Sequence, residues 1–247
     1  MAKRNRKAET EEEKIERQAK PLGVESDNTI RSIILSDKQK ELIETIEKND
    51  ITICTGPAGT SKTFIDCYYA VKSLKLNTFD KVLLTKPIQE AGEKLGFLPG
   101  DIESKIDPHY ESYKITFQKL MKKRIFEKLL KENVIEFRPL AFMRGATFDN
   151  SLMILDEAQN CDIRQLMLFT TRMGNKSKVI ISGDLHQYDI NAYHVALQFF
   201  VNMVRDIKGI GVFEFEQADI VRNKILIEIT ERYEKLKFDE KLPRNKS

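Results

Sequence analysis

Four short runs of consecutive apolar residues punctuate the chain, at residues 51–55, 82–85, 152–155 and 179–182. Each is strand-length, rich in Val, Ile and Leu, and free of polar alternation, the pattern of a strand covered on both faces. Helical stretches separate the runs, which predicts crossover connections and an α/β fold with a mainly parallel sheet flanked by helices. Each run stops abruptly in polar or glycine residues: Gly56 and Pro57, Lys86 and Pro87, Asp156 and Glu157, Gly183 and Asp184. Open α/β sheets bind ligands at the carboxyl ends of their strands, so four such clusters predict one shared crevice.

Residues 100–144 read as a charged helical section, with 117–126 its clearest amphipathic run, expected as a helix packed on one face. Residues 1–28 hold almost no large apolar side chains and are expected to form a charged, flexible tail. One domain is expected over 29–236, followed by a second charged tail over 237–247. A net charge of +3 gives no overall basic field that demands nucleic acid, although a local groove could still be basic. Cys54, Cys67 and Cys161 lack paired zinc spacing, and their sparse, odd count fits a reducing cytoplasm. No apolar run is long enough to cross a bilayer and the start lacks the apolar core of a signal peptide, so a cytoplasmic protein is expected.

The chemistry concentrates in Gly56, Pro57, Ala58, Gly59, Thr60, Ser61, Lys62 and Thr63, between a buried strand and a helix starting near Lys62. Such a loop turns backbone N–H groups toward phosphate oxygens, and the helix N-terminus adds its positive dipole end. Lys62 would neutralise phosphate charge and the Thr63 hydroxyl would ligate Mg²⁺. Ser61 stands where the strict phosphate-loop pattern has glycine, a cost of about 1 kcal/mol if the backbone there is left-handed. Asp156 could hold Mg²⁺ through water, and Glu157 could orient and polarise an attacking water. Gln187, past the fourth strand, is placed to sense a γ-phosphate or that water.

Together these segments resemble the first motor domain of superfamily 1 helicases and, more closely, the PhoH family of ATPases. The resemblance runs from about Ser36 to Tyr233 and includes Glu90 to Asp101, Met143 to Gly145, Thr171 to Gly174 and Asp219 to Arg222. It implies a RecA-like core, ATP and Mg²⁺ as ligands, and Gln39 as a reader of adenine. It further implies a homo-oligomeric ring, with a hexamer expected, and hydrolysis coupled to single-stranded RNA. In such a ring a neighbour's arginine would complete the site, with Arg222 the first candidate and Arg172 the second. Ser61, Lys86 and Ala146 depart from the usual residues, and the chain is similar to a short, motor-only form of the kind common in bacteriophages. Lys86 follows a strand end that in helicase-like folds faces nucleic acid, and Phe97, His109, Tyr110 and Tyr113 are available nearby for base stacking. A nucleotide-gated assembly protein with slow or absent hydrolysis stays open as the alternative.

Overall fold

The computed structural model describes residues 33–87, 107–185 and 194–221, together with residues 225, 228, 229 and 232. Both expected tails lie outside the described residues. The described strands are β1 Ile51–Thr55, β2 Lys81–Thr85, β3 Ile135–Phe137, β4 Ser151–Leu155, β5 Lys178–Gly183 and β6 Ile210–Glu214. They form one sheet in the order β3-β2-β4-β5-β1-β6, every pair parallel. The flanking helices are α1 Asp37–Lys48, α2 Lys62–Lys75, α3 Glu111–Leu120, α4 Lys123–Lys131, α5 Ile163–Thr170 and α6 His194–Val204.

Alternate residues of the central strands feed two cores. Cys54, Val82, Leu84, Leu152, Ile154 and Ile180 pack with apolar residues of α1 to α4. Ile53, Leu83, Met153, Leu155, Val179 and Ile181 pack with those of α5 and α6. Burial on both faces is why these strands read as unbroken apolar runs. Cys54, Cys67 and Cys161 are buried free thiols. No helix among the described residues is long and apolar enough to cross a membrane.

The section read as one charged helical stretch contains more. The run 117–126 is not one helix, because α3 ends at Leu120 and Met121 is extended (φ −136°, ψ 168°) before α4 begins. In a continuous helix, positions nine residues apart lie about 180° around the axis, so Phe117 and Phe126 could not share a face. The break lets both rings turn inward, where they stack at 5.3 Å between centroids and are almost wholly buried. The same section supplies β3, an edge strand of three residues whose central Glu136 pairs with Lys81 at 2.8 Å and also binds Arg138. The far edge strand, β6, carries Gly211 and exposed Val212 and Glu214, so no apolar run marks it either.

The strand leading into the Gly56–Thr63 loop (β1) and the strand ending in acids (β4) are separated by β5. Two strand spacings, about 9–10 Å, thus part the loop from the carboxylates, enough for a phosphate and a cation between them. This interposed strand gives the sheet its RecA-like order. At the opposite end of the sheet, Lys178 donates to the carbonyls of Ile46 (2.6 Å) and Asn49, tying the C-terminus of α1 to the start of β5. A cation there also suits the negative end of the helix dipole.

Candidate phosphate-binding and metal site

The loop after β1 is held from both sides. Gly56 N–H donates to the Gly183 carbonyl (3.2 Å), Phe215 N–H to the Thr55 carbonyl (2.8 Å) and Val221 N–H to the Gly59 carbonyl (3.0 Å). The segment after β6 therefore straps the loop at two points. Gly56 (φ 148°) and Gly59 (φ 93°) occupy backbone conformations that L-residues avoid. Ser61 does so as well (φ 69°, ψ 24°), immediately before the first residue of α2. A left-handed serine costs about 1 kcal/mol. Ser61→Gly is therefore expected to raise the melting temperature by about 2–4 °C; an unchanged melting curve would show that the loop carries no strain there.

Lys62 Nζ donates to the carbonyls of Gly56 (2.6 Å) and Pro57 (2.9 Å) and more weakly to Thr60 Oγ1 (3.5 Å). The Thr63 hydroxyl donates to Asp156 Oδ2 at 2.7 Å, across from α2 to the end of β4. Tyr113 of α3 donates its phenolic O–H to the same oxygen at 3.0 Å, and Glu157 N–H donates to Oδ1 at 2.9 Å. The hydroxyl of Thr63 keeps lone pairs for a cation while its proton is held by Asp156, and the carboxylate lies one shell behind. The donor set is all oxygen, as a hard divalent ion requires. Among the described residues no group of three His, Cys, Asp or Glu could hold a metal unaided.

Glu157 sits in the left-handed region (φ 55°), at the turn where β4 gives way to a short 3-10 helix, Ala158–Asn160. Its Oε2 accepts from Gln159 Nε2 at 2.6 Å, while Gln159 Oε1 accepts from Asp184 N–H at 3.0 Å. Gln159 thereby fixes the Glu157 carboxylate to the end of β5. A Cβ on Gly183 would come within 2.7 Å of Leu197 Cδ2 and 3.1 Å of Gln159 Oε1, so glycine there makes room for this bridge. Burial, and next the charge of Asp156, push the Glu157 carboxyl up, whereas Gln159, Lys62 and Lys86 pull it down. Below these groups lies Asp66 of α2, fully buried, neither oxygen in a hydrogen bond. Burial and then Asp156 push its carboxyl well above the ordinary carboxylate range; the Ser182 hydroxyl pulls the other way, without a hydrogen bond of normal geometry.

Two cavities meet at the loop. The first, of 370 Å³, is lined by Ala58, Gly59, Ser61, Lys62, Thr63, Asp156, Glu157, Gln159, Gly183 and Asp184, and by Lys86, Ser112 and Thr116 on its far wall. The second, of 650 Å³, is lined by Lys38, Gln39, Thr60, Phe215 and the 218–221 segment. Gln39 is partly committed: its Oε1 accepts from Ser36 N–H (3.0 Å) in a capping box, leaving the Nε2 amide to face a ligand.

Gln187 and Arg222 lie outside the described residues, as do Phe97 and residues 90–94. Arg172 stands far from this crevice. Its carbonyl accepts from Phe148 N–H, near the start of β4, and its guanidinium donates to the Ala146 carbonyl at 3.1 Å. Tyr110 and Tyr113 are core residues rather than base-stacking platforms: both are buried, and Tyr110 stacks on Phe137 at 5.0 Å. No motif marks Tyr113, Ser112 or Thr116, since their part in the site depends on tertiary placement, whereas Gln159 belongs to the contiguous segment that begins with Asp156 and Glu157.

Sheet order and site together define a phosphate-loop protein with a RecA-like core. The chain belongs to the PhoH-like family, whose model matches residues 33–234. It is similar to a PhoH-like protein of Synechocystis, 41% identical over 199 residues, covering 80% of this chain and 61% of the relative. A PhoH-like protein of Bacillus subtilis is 40% identical over 198 residues, covering 80% and 62%. Protein PhoH of Escherichia coli K12 is 32% identical over 209 residues, covering 83% and 59%. The chain thus spans about three fifths of the length of these curated relatives. Among solved structures, the large terminase of a thermophilic bacteriophage aligns with a TM-score of 0.47 at 14% identity, covering 83% of this chain and 50% of that one.

Proposed function

We propose that this protein binds ATP with Mg²⁺ and hydrolyses it. The observation that carries the reading is the convergence of Lys62, Thr63, Asp156 and Glu157 on one cavity, with the Glu157 carboxylate fixed by Gln159. Backbone N–H groups of the loop and the N-terminus of α2 would bind the β- and γ-phosphates. Lys62 would exchange a loop carbonyl for a phosphate oxygen. Thr63, backed by Asp156, would hold Mg²⁺, which would supply charge neutralisation. Glu157 Oε2 is engaged by Gln159, which leaves Oε1 to accept the proton of a water aimed at the γ-phosphorus. Gln39 would donate to the base from the neighbouring cavity, and Gln187 would sense the γ-phosphate. Arg222 or Arg172 of a neighbouring copy would stabilise charge on the transferred group, which makes the working form a homo-oligomer, with a hexamer as the expected ring. Single-stranded RNA in the cytoplasm is the proposed target, a role that rests on the family resemblance.

The second reading, a nucleotide-gated binding protein with slow turnover, draws on Ser61 and on the hold that loop carbonyls have over Lys62. Steady-state ATP hydrolysis with and without single-stranded RNA separates the two. Turnover that RNA stimulates and that Lys62→Ala lowers by at least about 100-fold supports the motor. Nucleotide binding with no turnover in either condition supports the gated assembly and overturns the hydrolase.

A further inference from the structure

The 370 Å³ cavity is lined by a second cationic side chain that no phosphate-loop pattern assigns. We propose that Lys86 binds the γ-phosphate of a bound nucleoside triphosphate and so lets the site distinguish triphosphate from diphosphate, an inference that rests on the nucleotide reading above.

Its position follows from strand register. Thr85 pairs with Leu155 across β2 and β4, and Asp156 N–H donates to the Thr85 carbonyl at 3.0 Å. Lys86 and Asp156 are therefore lateral neighbours at the carboxyl edge of the sheet, about 5 Å apart along the backbone. Side chains alternate between faces, so both leave the sheet on the side of α2 and the loop. A lysine side chain from that point spans the distance to the Thr63 and Asp156 hydroxyl–carboxylate pair, where the terminal phosphate of a cation-bound triphosphate would sit.

The surroundings of its ammonium make the same case. Lys86 is half-buried, and its Nζ rests 5.9 Å from the centroid of the Tyr113 ring, the ring whose hydroxyl holds Asp156. Every N–H of the Lys62 ammonium already has an acceptor in the loop. Among the described residues the Lys86 ammonium has neither an ion pair nor a hydrogen bond. Taking an ammonium out of water without an acceptor is unfavourable, and the aromatic face offsets only part of that loss. A phosphate oxygen would supply the missing partner. The acids lining the cavity, Asp156, Glu157 and Asp184, outnumber its two lysines, so a triphosphate entering with its cation needs both positive charges. A nucleic-acid contact would put this side chain on an outer groove, whereas it lines the same cavity as the phosphate loop.

The experiment compares Mg²⁺-dependent binding of ADP and of a non-hydrolysable ATP analogue to the full chain, as wild type, Lys86→Met and Lys86→Arg. Lys86→Met should weaken the ATP analogue by about 10- to 100-fold, the worth of one charge-assisted contact, and leave ADP within about twofold. Lys86→Arg should restore most of the difference. Equal weakening of both nucleotides would assign Lys86 a structural role through Tyr113 and overturn the proposal. Unchanged nucleotide binding with loss of single-stranded RNA binding would overturn it in favour of a nucleic-acid contact. Failure of the wild type to bind either nucleotide would sink the nucleotide reading itself, and this inference with it.

Discussion

Glu157→Gln should bind ATP and Mg²⁺ as the parent does and turn over about 10²- to 10⁴-fold more slowly, the span associated with a positioned general base. The variant isolates the chemistry because the surrounding geometry survives it. A glutamine Oε1 can still accept from Gln159 Nε2, so the bridge from β4 to β5 is kept. The other end of the side chain then presents an amide N–H₂ in place of the free carboxylate oxygen, and the attacking water has no acceptor for its proton. Single-turnover hydrolysis measured beside nucleotide affinity checks both halves. Turnover within a few-fold of the parent would remove Glu157 from the proton-accepting role, whatever the affinity does.

Gly56→Ala is expected to destabilise the protein by about 2–5 kcal/mol, combining overpacking with backbone strain. A Cβ at this position meets Phe215 Cβ at 2.6 Å and the Phe215 carbonyl oxygen at 2.8 Å, at a φ of 148°. Neither neighbour can give way, because Phe215 is buried and its N–H is bound to the Thr55 carbonyl at 2.8 Å. The loop or the strap must move, and nucleotide binding should fall with stability. Gly145→Ala serves as the control. Gly145 also has a positive φ (80°), but nothing lies within 4 Å of the added carbon, so only about 1 kcal/mol of strain remains. Thermal melts of the two variants should differ by roughly 2–16 °C; indistinguishable melts would mean that the Gly56–Phe215 contact does not constrain the loop.

The readable part of this protein is its centre. Strands buried on both faces announce themselves as unbroken Val, Ile and Leu, and the apolar runs mark β1, β2, β4 and β5 to within a residue of their ends. The loop and the paired acids are legible for a related reason, since each is a contiguous segment fixed to a strand end. The edges are hidden: three residues around Glu136 and a strand containing Gly211 carry too little pattern to stand out. The break at Met121 is hidden too, because an amphipathic tally over 117–126 cannot distinguish one helix from two that turn both phenylalanines inward. In the second layer of the site Gln159 is legible as a residue, two positions after Glu157, but the contacts of that layer are not. Tyr113 reaches Asp156 over 43 positions of chain and Gln159 reaches Asp184 over 25, and no spacing rule connects such pairs. Gln39 differs again, since the capping box that uses its Oε1 is local and recognisable from Ser36 three residues earlier.

Arg172 and the phosphate loop stand at opposite ends of the sheet, roughly 15 Å or more apart along strands of five or six residues. An Arg172 that serves a nucleotide must therefore serve another molecule's, after releasing the Ala146 carbonyl. The surface that lends the arginine and the surface that receives it are then different patches on every copy. If the two patches lie on one face, a two-fold pair furnishes both crevices; if they lie on opposite faces, a lone pair of subunits leaves one crevice furnished and one bare. With the patches on opposite faces, every copy holds both roles once the circle closes or extends as a filament.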